Sequence, residues 1–182
     1  GATGALHAAQ AAALLAMVAR FSDGPRHDAE VTGRVRAAAD GLADEALDLA
    51  EADSVAFEKV IAAWQLPKET EEDKATRSAA IAEAFAVAAR PPADLMAAAV
   101  RLAGLAEDLL PAANRNVIGD IAAAAAAIGA AAVTAQVNIE ANLTGIKDPA
   151  LVEELTTTAA LADSVADRAG RLITAVREEM SQ

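Results

Sequence analysis

The chain has 182 residues, 54% of them hydrophobic but only 2% aromatic, so its apolar content is mainly Ala, Leu and Val, and one sizeable core is within its reach. A formal net charge of −12 with no basic run excludes general binding to nucleic-acid phosphates, and an anionic small molecule would need a local cationic pocket. The absence of cysteine excludes disulfides, a thiolate nucleophile and Cys-ligated zinc, and the well-separated His7 and His27 do not suggest a His-rich metal site.

In chain order, helix formers from Thr3 to Phe21 predict a first helix, which the Ser22-Asp23-Gly24-Pro25 cluster ends. Its lack of a basic leading segment argues against a signal peptide. From His27 to Gln65 the apolar positions Val31, Val35, Leu42, Leu49, Val60 and Ile61 recur at mainly helical spacings, which predicts one long helix with a possible bend near Gly41. Pro67 lacks a backbone donor and disfavours helical geometry at Leu66, so the chain should turn at Leu66-Pro67-Lys68. A third helix is predicted from the acidic Glu69–Asp73 segment to Ala89, and a fourth from Pro92 to Leu110 after the Pro91-Pro92 breaker.

A fifth, nearly all-apolar helix is predicted from Val117 to Leu143, buried on most sides within a bundle or dimer. Its most membrane-like part, Ile121 to Ala135, is shorter than the roughly 20 residues a spanning helix needs and reads better as a buried helix. After Gly145, a sixth helix is predicted from Pro149 to Met180. The fold class is therefore all-α: an up-and-down bundle of about six helices forming a single domain over residues 1–182.

Four islands of sequence carry a family resemblance. They are the Ala-rich Ala11–Ala19; Asp53-Ser54-Val55-Ala56-Phe57 leading through Trp64-Gln65 into Leu66–Glu72; Asn114-Arg115-Asn116-Val117-Ile118-Gly119-Asp120; and Asn138-Ile139-Glu140-Ala141-Asn142-Leu143 with Ile146-Lys147-Asp148. In this order they resemble the cyclodeaminase/cyclohydrolase family over nearly the whole chain. Two departures stand out: the family's Gly-rich, Ser-containing loop has only Gly1 and Thr3 as counterparts, and Gly119 stands where the family has Ser.

The resemblance implies a cytoplasmic, homodimeric one-carbon enzyme with no cofactor beyond its folate substrate, and with neither a membrane nor a nucleic-acid partner. It would either hydrolyse 5,10-methenyltetrahydrofolate to 10-formyltetrahydrofolate or cyclise 5-formiminotetrahydrofolate with release of ammonia. The first reaction is preferred because no formiminotransferase segment accompanies the domain in this sequence. The competing reading is a non-catalytic helical homologue that serves as a binding or assembly module.

The resemblance assigns Asp120, Lys68 and Asp53 to catalysis and Asn116, Asn138 and Asn142 to substrate binding, with no metal. Each residue also has a plainer reading. Asp120 opens an apolar helix, where it could act as general acid/base or as a cap or first-turn aspartate. Lys68 suits the helix dipole poorly and either serves the site or pairs with Glu71 or Glu72. Asp53 faces the site or solvent. Asn138 and Asn142, at i and i+4, share a face and would hydrogen-bond either a pterin or a neighbouring helix. Phe57 and Trp64 also share a face, for which core packing is expected ahead of pterin stacking, and lone His7 reads as structural or surface.

Overall fold

The computed structural model describes residues 1–24 and 28–182. Pro25 and His27, the expected breaker and the expected start of the second helix, lie outside the described residues. Seven α-helices are present among those described: α1 Ala2–Phe21, α2 Ala29–Trp64, α3 Glu71–Ala88, α4 Arg90–Leu109, α5 Gly119–Leu143, α6 Pro149–Ala159 and α7 Leu161–Met180. Two short 3-10 turns, Leu110–Ala112 and Arg115–Val117, connect α4 to α5.

Local chemistry sets the boundaries. Asp28 caps α2 by accepting from the amides of Glu30 and Val31, both at 3.1 Å. The helix then runs unbroken past Gly41. Thr70 and Asp73 form a reciprocal capping box at α3: the Asp73 amide donates to the Thr70 hydroxyl at 3.0 Å, and the Thr70 amide donates to the Asp73 carboxylate at 3.1 Å. Pro91 and Pro92 fit in the first turn of α4, where a missing N–H costs no intrahelical bond.

The predicted sixth helix is two helices, divided at Ala160. The hydroxyls of Thr156, Thr157 and Thr158 each donate to the carbonyl four residues back, at 2.7 to 3.0 Å. Three consecutive back-bonds of this kind bend a helix, and the two halves pack in different places. Leu151 and Leu155 of α6 join Ile139 and Ile146 in a small cluster, whereas Val165, Leu172 and Val176 of α7 enter the main core.

Helix α1 packs on α2, α5 and α4, and α5 packs on α1, α7 and α4. The order across one layer is therefore α2, α1, α5, α7, with α4 behind the middle pair. α1 and α5 are antiparallel: the Gly1 nitrogen donates to Asn138 Oδ1 at 2.8 Å, and at the other end Asn114 Nδ2 donates to the Phe21 carbonyl at 3.0 Å. The core is built from fully buried Leu15, Leu95, Met96, Leu102, Ile121 and Ile128, filled in by many buried alanines. Gly4 permits the closest approach, since a Cβ there would lie 2.8 Å from Thr134 Cγ2 and 2.9 Å from Leu95 Cδ2.

Both α1 and α5 are long and apolar enough to cross a membrane. The shorter Ile121–Ala135 span read from sequence understates α5, which has 25 residues. Each helix nonetheless turns its fully buried side chains toward other helices of the bundle, as core helices do.

Ion pairs tie α4 to its surroundings: Arg34 to Asp108, Arg101 to Glu45, Arg90 to Glu154, and the two-pronged Arg168–Glu107 pair at 2.8 and 2.7 Å. The hydrogen-bonded Arg168 guanidinium holds the Glu107 carboxyl below its ordinary range against a smaller opposing effect of burial. The native state thus binds fewer protons than the unfolded chain in the acid range, so this contribution is present at neutral pH and disappears as pH falls through the native pKa. Glu107→Gln is expected to cost less than ~1 kcal/mol at neutral pH because the pair is partly exposed. Its urea midpoint should converge on that of the parent at acid pH, and a constant difference across pH would contradict this linkage.

Candidate active site

Where the end of α2, the end of α3 and the last turns of α5 meet, they enclose a cleft of about 730 Å³. Asp53, Phe57 and Trp64 of α2, Phe85 of α3, and Asn138 and Asn142 of α5 line it, together with Gly1. Asp53 Oδ2 accepts from the Ala2 amide at 2.9 Å and lies 3.4 Å from the Gly1 nitrogen. It thereby supplies from α2 a negative charge that the first turn of α1 lacks. No hydrogen bond engages Asp53 Oδ1 among the described residues, and the carboxylate is partly exposed.

The two amides are oriented by their own helix. Asn138 Nδ2 donates to the Thr134 carbonyl at 2.8 Å. Asn142 Nδ2 donates to the carbonyls of Asn138 at 2.8 Å and Ala88 at 3.2 Å. With both amide protons used, Asn142 Oδ1 remains an acceptor without a protein partner among the described residues. The neighbouring-helix alternative is met at Asn142, whose amide reaches the Ala88 carbonyl of α3, and both asparagines also line the cleft.

The aromatic residues overturn the core-packing expectation. Phe57 is 54% exposed and Trp64 46% exposed, and both face the cleft. Trp64 meets Phe85 with ring centroids 6.1 Å apart at 59°. Their spacing of seven residues does put them on one helical face, but that face is the wall of an opening. Phe85 is held close to the α5–α6 turn, since a Cβ on Gly145 would fall 2.3 Å from its ring. Sequence reasoning did not single out Phe85 or Gly145; no local pattern connects them.

The remaining predicted residues lie elsewhere. Lys68 is exposed in the α2–α3 connection, its amide donating to Glu69 Oε2 at 2.9 Å and its ammonium forming no ion pair among the described residues; the expected pairing with Glu71 or Glu72 is absent. Asn116 is exposed in the turn before α5, where its amide donates to Asn114 Oδ1 at 3.1 Å. Asp120 occupies the first turn of α5, half-buried, with no cap bond and no partner for its carboxylate among the described residues. It precedes Asn138 by 138 − 120 = 18 residues, five helical turns, so the two lie on one line of α5 about 27 Å apart. One chain therefore brings together Asp53, Asn138 and Asn142, and leaves Asp120 and Asn116 at the opposite end.

A helical bundle with an aromatic-walled cleft, a carboxylate and two fixed amides has the features of a small-molecule site. The protein belongs to the formiminotransferase-cyclodeaminase family, whose model matches residues 1–161. It is 32% identical over 157 residues to a methenyltetrahydrofolate cyclohydrolase of Methylorubrum extorquens, covering 85% of this chain and 76% of that relative. It also superposes on the crystal structure of formiminotetrahydrofolate cyclodeaminase from Thermotoga maritima with a TM-score of 0.84 and 25% identity, covering 100% of this chain and 88% of the other. The names of these relatives support a folate one-carbon enzyme of the cyclohydrolase/cyclodeaminase type.

Proposed function

We propose that the protein hydrolyses 5,10-methenyltetrahydrofolate to 10-formyltetrahydrofolate, acting in the cytoplasm as a homodimer without a further cofactor. Cyclisation of 5-formiminotetrahydrofolate with loss of ammonia is the reaction of the same site that ranks second. The observation that carries this reading is the meeting of Asp53, Asn138 and Asn142 between Phe57, Trp64 and Phe85. A pterin presents a flat ring for stacking and edge heteroatoms for the amides. The higher identity to the cyclohydrolase than to the cyclodeaminase supports the order of the two reactions.

In hydrolysis, water adds to the cationic methenyl carbon and a carboxylate takes one of its protons; the tetrahedral carbon then expels N5, which is protonated as the remaining hydroxyl proton is lost, leaving a formyl group on N10. In the homodimer Asp120 of the partner subunit is assigned the proton transfer, since the chain's own Asp120 lies about 27 Å along α5 from its cleft, and Asp53 positions the ligand and the start of α1. Lys68 is assigned to the folate's carboxylate groups, and Asn116, which lies at the same end of α5 as Asp120, is assigned with it to the partner's cleft.

The test follows the near-ultraviolet absorbance of 5,10-methenyltetrahydrofolate with purified protein, beside an ammonia assay on the formimino substrate. Enzyme-dependent loss of absorbance supports hydrolysis, ammonia release alone moves the assignment to cyclodeamination, and neither activity under saturating substrate sinks both. Trp64→Ala is expected to raise KM by about three- to tenfold by removing one stacking surface, with kcat nearly unchanged. An unaltered KM would remove Trp64 from the pterin wall.

A further inference from the structure

The polar groups of the cleft are short of free donors. Asn142 commits both amide hydrogens to the Asn138 and Ala88 carbonyls, and Asn138 commits one to the Thr134 carbonyl. The hydroxyls of Ser54 and Thr144, which also line the cleft, donate to the carbonyls of Ala50 at 3.2 Å and Ala141 at 3.0 Å. Asp53 and Glu58, the charged side chains of the wall, only accept when ionised. What faces the opening is therefore chiefly acceptors, with Asp53 Oδ1 and Asn142 Oδ1 unpartnered among the described residues. A ligand that satisfies them must bring donors.

The cleft also has a direction. Asp53, Asn138 and the start of α1 meet at one end. From there α2 reaches Phe57 after one turn and Trp64 after three, about 16 Å along, where Trp64 meets Phe85. α5 runs the same way past Asn142 to the turn at Gly145, which lies against the Phe85 ring.

Beyond this aromatic pair stand two cations. Arg77 of α3 donates to the Trp64 carbonyl at 3.1 and 3.3 Å, and Lys147 in the α5–α6 turn donates to Ser78 Oγ at 2.8 Å. Ser78 precedes Phe85 by two turns on the same face of α3, about 10 Å along that helix. Neither cation has a carboxylate partner among the described residues, although the chain has 27 acidic residues to 15 Lys and Arg. Bonds to neutral oxygens hold both groups in place and leave their charge uncompensated. Lys68, in the connection that follows Trp64, belongs to the same end.

We propose that the cleft binds a 2-amino-4-oxopteridine in one orientation: its 2-amino and N3–H edge on Asp53, a further ring N–H on Asn142, and its carboxylate-bearing tail past Trp64 and Phe85 to Lys147 and Arg77. The identity of the ligand rests on the proposed function; its orientation and the tail contacts of Lys147 and Arg77 are added to that reading. In a pterin the donor edge and the C6 atom that carries the tail lie at opposite ends of the ring system, so seating the edge at Asp53 sends the tail along the cleft. The reverse orientation would set the tail's carboxylates beside Asp53, where like charges repel. N5 and N10 lie toward the aromatic pair, away from Asp53, in keeping with the positioning role of that carboxylate.

Trp64 is the chain's single tryptophan, so quenching of its fluorescence, corrected for ligand absorbance, reports occupancy of the cleft. Three ligands are compared under argon: tetrahydrofolate; 6-methyltetrahydropterin, which lacks the tail; and 6-methyltetrahydrolumazine, which carries a carbonyl in place of the 2-amino group. Lys147→Met is expected to raise Kd for tetrahydrofolate by about three- to tenfold and to leave Kd for the tail-less pterin unchanged, and Lys147→Arg should restore tetrahydrofolate binding. The parent should bind the pterin at least about tenfold more tightly than the lumazine, because an acceptor then replaces the donor that the cleft requires.

An equal loss for both pterins in Lys147→Met would make Lys147 a strut between α3 and the α5–α6 turn, and no loss for either would remove the tail contact. Equal binding of pterin and lumazine would remove the donor-edge contact, and no quenching by any of the three would remove the ligand. Each of these results overturns the proposed orientation. Turnover is read separately: a parent that shows the expected binding pattern without hydrolysing 5,10-methenyltetrahydrofolate keeps the orientation and loses the proposed reaction, whereas turnover with pterin and lumazine bound equally keeps the reaction and loses the orientation.

Discussion

Asp120→Asn is expected to lower kcat for hydrolysis of 5,10-methenyltetrahydrofolate by about 10²- to 10⁴-fold, the usual range for removing a general acid/base, with little change in KM. The substitution keeps size and hydrogen-bonding capacity and removes only the ability to exchange a proton at neutral pH. The competing role is electrostatic: a carboxylate in the first turn of α5 interacts favourably with the helix dipole, a contribution of about 0.3–1 kcal/mol. That role predicts a small drop in the urea midpoint and an unchanged kcat, so the two measurements separate the explanations. Asp53→Asn should behave differently. An amide oxygen can still accept the Ala2 N–H, but the negative charge facing the first turn of α1 is lost, so the effect should fall on both kcat and KM as the start of α1 and the cleft wall loosen together.

The helices were legible because their punctuation is local. Pro67 and the Pro91-Pro92 pair terminate or open elements wherever they occur, and the acidic Glu69–Asp73 run marks a helix start, although the Thr70–Asp73 capping box that fixes its first residue was not singled out. The break at Ala160 was not read, because the back-bonding of Thr156, Thr157 and Thr158 acts through a bend rather than through a missing donor. The site was legible only in part. The i, i+4 spacing of Asn138 and Asn142 put both on one face, and both do line the cleft. The sevenfold spacing of Phe57 and Trp64 also put them on one face, but periodicity could not say that it borders an opening, since that depends on where α3 and the α5–α6 turn end. Asp120 and Asn138 stand a whole number of turns apart, so their alignment could be read from sequence. What had to be weighed against it was the rise of the helix, which makes alignment within one chain a separation of about 27 Å.

The largest expected stability effect comes from a methyl group. Gly4→Ala replaces the second-poorest helix former by the best, which in an open helix position would stabilise the protein by up to about 1 kcal/mol. At Gly4 the added Cβ would lie within 2.9 Å of Thr134 Cγ2, Thr134 Cβ and Leu95 Cδ2. Neither neighbour yields readily: the Thr134 hydroxyl is committed to the Ala130 carbonyl at 2.8 Å, and Leu95 is almost wholly buried. Overpacking of this kind costs about 1–3 kcal/mol, so strain outweighs propensity and the variant should be less stable. Gly41 provides the contrast. It lies within α2 with nothing within 4 Å of the position its Cβ would take, so Gly41→Ala should stabilise by up to about 1 kcal/mol. Urea midpoints of the two variants should therefore move in opposite directions. Gly4→Ala should also depress turnover, because pushing α1 from α5 disturbs the Gly1–Asn138 and Ala2–Asp53 contacts at the cleft, whereas Gly41→Ala should leave turnover unchanged. Stabilisation by both alanines would show that α1 and α5 are not held at the separation their small residues permit.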